Sequence, residues 1–574
     1  MLTIGGSSEG VGLPPQETQT AVLDEKNVQN TAAKGEDSAA VQDKTEDGAD
    51  ETQVQKAESL TELTALNKEG EQEETQIVQK EDADTVSPDI AAAQSMYCTG
   101  RAENTLEVGA VFSQTVKSAD NYYYLMRIDP VSGELNKTAE AALEKSGQVT
   151  FILDTSQKPH LAVGRYCIAV KTKKGFVRVS PVCYVQHPEK MASNREKYEV
   201  AATKKGIQDS NADTAIATGS KQIFVNMCVS DILKEDNKMV AYSYDGETYR
   251  FNPLSGYQAM IEKCNANDIV VTIQVLLDWC DSALIIEEGR EKGHSYYTWN
   301  TRETASRKKM EAIFSYIAER FGKKNCYVTN WILGNEVNSC NYWNYCGDLP
   351  ESTYITVYAE AFRSLYNAVR SKKSGTKVFI CLDHNWNLTS GGYSSKYILD
   401  TFAKTIDRIQ PEIQWNLAYH AYPTPLTEVA FWKNANITND VQSPVIHMQN
   451  LQVLTDYVKE NFGSNRRILL SEQGFTSTQG EELQAAALAY AYYIAACNSM
   501  VDGFHIRSFE DAPTEVEQGL VMGIKGRKAL EVYQYMDTKE GLSYTKAYLK
   551  LVGLTSWEEI SGYSEEKLYT NYRE

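Results

Sequence analysis

The chain has 574 residues, with 57 Lys and Arg against 77 Asp and Glu, for a formal net charge of −20. Residues 1–95 hold 21 acidic residues and 6 Lys, so most of the charge lies there, and the remainder has no basic stripe of the kind that binds nucleic acid. The longest uninterrupted apolar run, residues 485–497, is too short for a membrane-spanning helix, which needs about 20 residues, and the 11 cysteines include no CxxC pair that would point to a zinc ribbon.

Residues 1–95 contain no Phe, Trp or Tyr, and they offer too little apolar surface to offset the entropy of ordering. The expectation is a disordered acidic leader, either a solubilising tail or a tether to a surface. Met1 to Gly6 lack the basic and apolar regions of a complete signal peptide. Over 96–190 the pattern turns to short alternating runs at 122–128, 147–153, 165–170 and 176–185. Period-two alternation predicts half-buried strands, and hence a small immunoglobulin-like β-sandwich.

From 204 to 537 a strand-then-helix unit repeats, which predicts a parallel sheet covered by helices. Strands are expected at 269–277, 327–333, 377–382, 413–419, 467–470 and 503–506, with two more at 222–226 and around Gly206 and Ile207. Helices are expected near 307–321, 358–369 with Gly375 closing it, 397–409, 451–462, 483–497 and from Arg527. Eight such units predict a (β/α)8 TIM barrel. An open doubly wound sheet is the alternative, although no glycine-rich phosphate fingerprint follows an early strand. An insertion over 230–249 reads as a hairpin turning at Tyr244-Asp245-Gly246-Glu247, and 538–574 reads as a helical tail. Cys340 and Cys346 are close enough in sequence to bridge one loop.

Active sites of such barrels lie at the carboxyl ends of the strands. There the sequence reads Trp331-Ile332-Leu333-Gly334-Asn335-Glu336 after strand four, His420-Ala421-Tyr422 after strand six, and Leu470-Ser471-Glu472-Gln473 at strand seven. Two carboxylates facing each other across one barrel mouth call for a common reason. Further candidates are Asp278 and Trp279 after strand three, Asp383, His384 and Trp386 after strand five, and His505, Arg507, Glu510 and Asp511 after strand eight. Trp279 and Trp386 either stack on sugar rings or pack the barrel top. Arg507 either favours an acidic sugar or pairs with Glu510 or Asp511. Asn226 and Gln274 fit the same rim weakly.

On Asn335, Glu336, His420, Tyr422 and Glu472 the barrel resembles the glycoside hydrolases of clan A, which carry an acid/base on strand four and a nucleophile on strand seven. It also looks like an uncharacterised bacterial domain family built on that scaffold. The resemblance covers residues 204–537 and implies a retaining glycoside hydrolase without a cofactor. Glu336 is then the acid/base and Glu472 the nucleophile; in retaining enzymes two such carboxyls stand about 5–5.5 Å apart. Asn335 would hold a sugar hydroxyl, and Tyr422 would keep Glu472 ionised while His420 lines the rim. Two departures from the pattern bear on the substrate: strand eight ends in Phe504-His505-Ile506-Arg507 rather than in a Trp, and no Arg follows Asn226.

No HxH or HExxH spacing suggests a metal, and no Gly-x-Ser-x-Gly elbow suggests a serine hydrolase. A carbohydrate-binding barrel without turnover is the second reading, and a purely structural surface protein the third. The expected partner is a carbohydrate, with no nucleic acid and no membrane span, and the expected location is extracellular or at the cell surface.

Overall fold

The computed structural model describes residues 93–572 apart from 115, 143–146 and 237. The expected acidic leader lies outside the described residues, up to the point where the first strand starts at Ala93.

Two antiparallel sheets come first. One orders the strands Ala93–Ala102, Thr105–Phe112 and Gln148–Asp154, and the other orders Leu135–Ala142, Tyr122–Ile128, Arg165–Thr172 and Gly175–Arg178. Alternate residues of both, among them Leu106, Val108, Leu125, Phe151 and Ile168, close a common core. The run at 176–185 is not one strand. It divides into Gly175–Arg178 and Cys183–Tyr184, because Ser180 turns its hydroxyl onto the Ile168 N–H at 2.7 Å and Pro181 has no N–H for a ladder.

Eight parallel strands then close into a barrel. In chain order they are Lys205–Gln208, Gln222–Cys228, Val270–Leu276, Asn330–Leu333, Lys377–Leu382, Trp415–Tyr419, Ile468–Gln473 and Val501–Ile506, and the eighth pairs with the first. Helices such as Thr304–Arg320, Glu351–Arg370, Ser395–Ile409, Leu451–Phe462 and Glu481–Cys497 cover the outside, so the fold is the expected TIM barrel preceded by a small antiparallel module. Phe224, Ile332, Phe379, Cys381, Ala418 and Leu469 fill its interior. At the seam between first and eighth strands a Cβ on Gly206 would sit 2.4 Å from His505 Cδ2, so glycine leaves room for that ring inside the barrel.

The fourth strand is shorter than expected. Cys326–Tyr327 folds back on Gly322–Lys323 as a hairpin, and pairing with the barrel begins only at Asn330. The insertion does form the expected hairpin, Val240–Tyr244 against Glu247–Phe251. Gly375 does not close the preceding helix, which ends at Arg370. It lies instead where the segment joining sandwich to barrel passes, and a Cβ there would be 2.3 Å from the Glu196 carbonyl oxygen.

Candidate active site

The fourth strand delivers its carboxyl group through a turn that glycine must start. Gly334 has φ +72°, and a Cβ there would lie 3.1 Å from Val337 Cγ1 and 3.2 Å from Asn344 Oδ1. Glu336 is itself left-handed at φ 39°, which costs a non-glycine residue about 1–2 kcal/mol. The seventh strand delivers the second carboxyl group through a break in register. Leu470 pairs with Phe504 but Gln473 with Ile506, so this strand spends one residue more than its neighbour, and Glu472 lies in the irregularity. Such bulges turn a side chain away from the regular pleat.

His420, at the end of the sixth strand and fully buried, joins the two. Its Nδ1 lies 2.7 Å from Glu336 Oε1 and 3.9 Å from Glu472 Oε2, and its Nε2 lies 3.4 Å from Cys381 Sγ. Glu472 accepts further hydrogen bonds from the Tyr422 hydroxyl and from Gln208 Nε2, both at 3.1 Å, with Arg507 Nη1 3.8 Å away. Asn335, beside Glu336, accepts a 3.0 Å hydrogen bond at Oδ1 from Gln274 Nε2, which also donates to the Gly334 carbonyl. Its own Nδ2 thereby stays available for another acceptor.

The environments separate the two carboxyl groups. Burial raises the pKa of Glu336 above the ordinary glutamate value, and the nearby charges of Asp383 and Glu472 add to that against the pull of His420. Burial works on Glu472 too, but His420, Arg507, Tyr422 and Gln208 together bring its pKa below the ordinary value. The pKa of His420 is raised against its burial, by Cys381, by the charge of Glu472 and by the hydrogen bond to Glu336. Two carboxyl groups pushed apart in this way suit an acid and an anion side by side.

Both line a cavity of about 130 Å³ with Asn335, Tyr422, Asp383 and Arg507. The other sequence candidates are placed differently. Asp383 reaches the cavity wall, but its carboxylate accepts from Asn338 Nδ2, Ser339 Oγ and both nitrogens of Asn385 at 2.7–2.8 Å, so it ties the loop after strand four to strand five. Trp386 is fully buried, with Nε1 donating to the Val441 carbonyl and its ring packed edge-on against Tyr457, so it packs the barrel top away from the cavity. Trp279 packs on Tyr297 under Lys292 and does not line the cavity either. His505 fills the barrel interior rather than the rim, and burial lowers its pKa to about 4. Arg507 pairs with Glu515, Nε to Oε1 at 2.8 Å, while Glu510 and Asp511 pair with Lys525 and Arg527.

Several lining residues carried no signal as single letters. Tyr296, Tyr342 and Trp343 arrive on loops, and Glu515 on the short helix Pro513–Val516. Gln208 does not line the cavity but reaches Glu472 from the end of the first strand, whose sequence Lys205-Gly206-Ile207-Gln208 offers little apolar signal. Cys340 and Cys346 are both buried free thiols. Among the described residues no group of three or more His, Cys, Asp or Glu is placed to hold a metal ion, and no helix is long and apolar enough to cross a membrane.

The family described as "Family of unknown function (DUF5722)" matches residues 197–560, and no curated protein matches the chain. Similar solved structures are glycoside hydrolases. A Bacteroides ovatus GH5 xyloglucanase in complex with a XXXG heptasaccharide is 10% identical with a TM-score of 0.38, covering 79% of this chain and 100% of that one. A calcium-binding mutant of Bacteroides uniformis β-glucuronidase 2 is 9% identical with a TM-score of 0.37, covering 79% of this chain and 49% of that one, so the chain spans about half the length of that enzyme. The CBM22-1–GH10 modules of Clostridium thermocellum xylanase 10B, complexed with xylohexaose, are 10% identical with a TM-score of 0.36, covering 77% and 94%.

Proposed function

The chain belongs to DUF5722, a family whose description states no activity, and from the side chains at its barrel mouth we propose that it is a retaining glycoside hydrolase. The observation that carries the reading is the single imidazole nitrogen shared by both carboxyl groups, 2.7 Å from one and 3.9 Å from the other. Those two distances hold the oxygens within about 6.6 Å of each other, which favours the retaining separation of about 5–5.5 Å over the inverting one of about 6.5–9.5 Å.

In this reading Glu336, held toward its protonated form, gives its proton to the glycosidic oxygen as that bond breaks. Glu472, held ionised by His420, Arg507, Tyr422 and Gln208, attacks the anomeric carbon from the opposite face and forms a glycosyl ester. The Glu336 carboxylate left behind then takes a proton from water as the water cleaves the ester, restoring both groups. Asn335 Nδ2 takes a sugar hydroxyl. Action on a glycan outside the cell, with residues 1–95 as a tether, belongs to the same proposal.

The test is turnover of aryl glycosides and polysaccharides by the wild type beside Glu472→Ala. Turnover by the wild type alone is expected. Binding of a glycan with no turnover would move the assignment to a carbohydrate-binding barrel.

A further inference from the structure

The proposed hydrolase reading leaves the sugar open, and the charge around the cavity narrows it. Four carboxyl groups line the cavity, those of Glu336, Asp383, Glu472 and Glu515, and Arg507 is the only Lys or Arg among the lining residues. That guanidinium is already engaged at every nitrogen. Nε and Nη2 bond to Glu515 Oε1, and Nη1 donates to Gln208 Oε1 at 3.2 Å while standing 3.8 Å from Glu472 Oε2. Glu515 itself is buried at 3% exposure, so it is not a surface group that a ligand displaces at no cost. The neighbouring imidazole, His420, lies fully buried with its Nδ1 committed to Glu336.

A sugar carboxylate entering this cavity therefore finds no unengaged Lys or Arg among the lining residues, burial holds the lining imidazole of His384 toward its neutral form, and Glu472 and Glu515 oppose the added charge. Juxtaposed like charges in a desolvated site cost several kcal/mol. A sugar hydroxyl meets the opposite situation. Asn226, Asn335 and Ser390 line the cavity, and the buried Oδ1 of Asn226 has no protein partner.

We infer that the site takes an uncharged sugar and rejects uronic acids, and that Glu515 sets this choice by neutralising Arg507. The inference rests on the hydrolase reading only for its most convenient measurement. Without Glu515's charge a glutamine Oε1 still accepts from Arg507, but one of the like charges facing a sugar carboxylate is gone and the guanidinium charge is left uncompensated on that side.

The experiment uses matched nitrophenyl glycosides that differ only in oxidation at C6, glucoside against glucuronide and galactoside against galacturonide in both anomers, on the wild type and Glu515→Gln. The wild type is expected to prefer the neutral member by on the order of a hundredfold in kcat/KM. In Glu515→Gln that ratio should narrow by about tenfold, through KM for the uronide, as one like charge is removed. A ratio taken within one protein does not depend on the fraction folded, so a merely structural role for Glu515 would leave it unmoved. A wild type that turns over a uronide as well as its neutral partner overturns the inference, and so does an unchanged ratio in the variant. Silence on every glycoside would strike at the hydrolase reading instead, and the charge inference is then read from binding of glucose and glucuronate by saturation-transfer NMR. Binding of the neutral sugar alone supports it; binding of glucuronate as tight or tighter overturns it.

Discussion

The Tyr422 hydroxyl, 3.1 Å from Glu472 Oε2, is one of four influences that hold this carboxyl group ionised. Phe at that position removes a hydrogen bond to a charged group, which is worth about 1.5–3 kcal/mol. Losing a donor to the carboxylate raises the Glu472 pKa, so the acidic limb of the kcat/KM profile, set by protonation of Glu472, should move to higher pH in Tyr422→Phe. The basic limb belongs to Glu336, whose pKa burial raises, and it should stay in place. At the optimum the variant should lose on the order of tenfold or more in kcat/KM, and an acidic limb that does not move would separate Tyr422 from Glu472. These residues were legible because each is a polar group set straight after an apolar strand. Trp386 follows the same rule and points into the protein, since its indole finds the Val441 carbonyl there, and nothing in the local sequence tells the two directions apart. Glu515 was illegible for another reason: it reaches Arg507 across a loop of irregular backbone.

At the scale of single elements, the turn after the fourth strand decides where Glu336 sits. Ala at Gly334 would bring a Cβ within 3.2 Å of two neighbours at a φ of +72°, and both space and conformation oppose it. Gly334→Ala should destabilise the fold by about 1–2 kcal/mol in denaturant unfolding, and it should lower kcat more than that loss explains, because a small displacement of a positioned acid is costly. A variant as active as the wild type would mean that the turn does not position Glu336. Strand existence was readable from apolar runs, and strand limits were not. Residues 327–333 look continuous, yet the ladder starts at Asn330, because Cys326 and Tyr327 are taken by a local hairpin. Hairpin pairing competes with barrel pairing for the same backbone groups, and side-chain character does not record which wins.

Across the whole molecule, sandwich and barrel meet on a buried polar seam. Arg363 stacks 4.0 Å over the Tyr184 ring and donates to the Val163 carbonyl at 2.9 Å, while Glu360 receives the Tyr184 hydroxyl at 3.0 Å and Arg307 Nη2 at 2.6 Å. Burial opposes the charge on Glu360, but Arg307, Arg363 and Tyr184 outweigh it and lower its pKa to about 2. A pKa depressed in the folded state adds stability that is complete above the unfolded value and lost as pH falls toward the folded one. The loss should therefore run from about pH 4.5 down to about pH 2, and it amounts to about 3 kcal/mol. Glu360→Gln should be less stable than the wild type at pH 7 and should lose less on acidification, as read by thermal unfolding across that range. Parallel slopes would deny Glu360 this role. The barrel was legible as a repeat of strand and helix, whereas this seam was not, because Tyr184, Glu360 and Arg307 lie far apart in sequence and each alone reads as an ordinary surface residue.

The most direct measurement of the central claim is chemical rescue of Glu472→Ala by azide, on a glycoside that the wild type cleaves. The account predicts that turnover lost in the variant returns with azide as a glycosyl azide of configuration opposite to the substrate, because azide takes the place that the carboxylate occupies. Turnover unaffected by the substitution, or a rescued product that keeps the substrate's configuration, would contradict it.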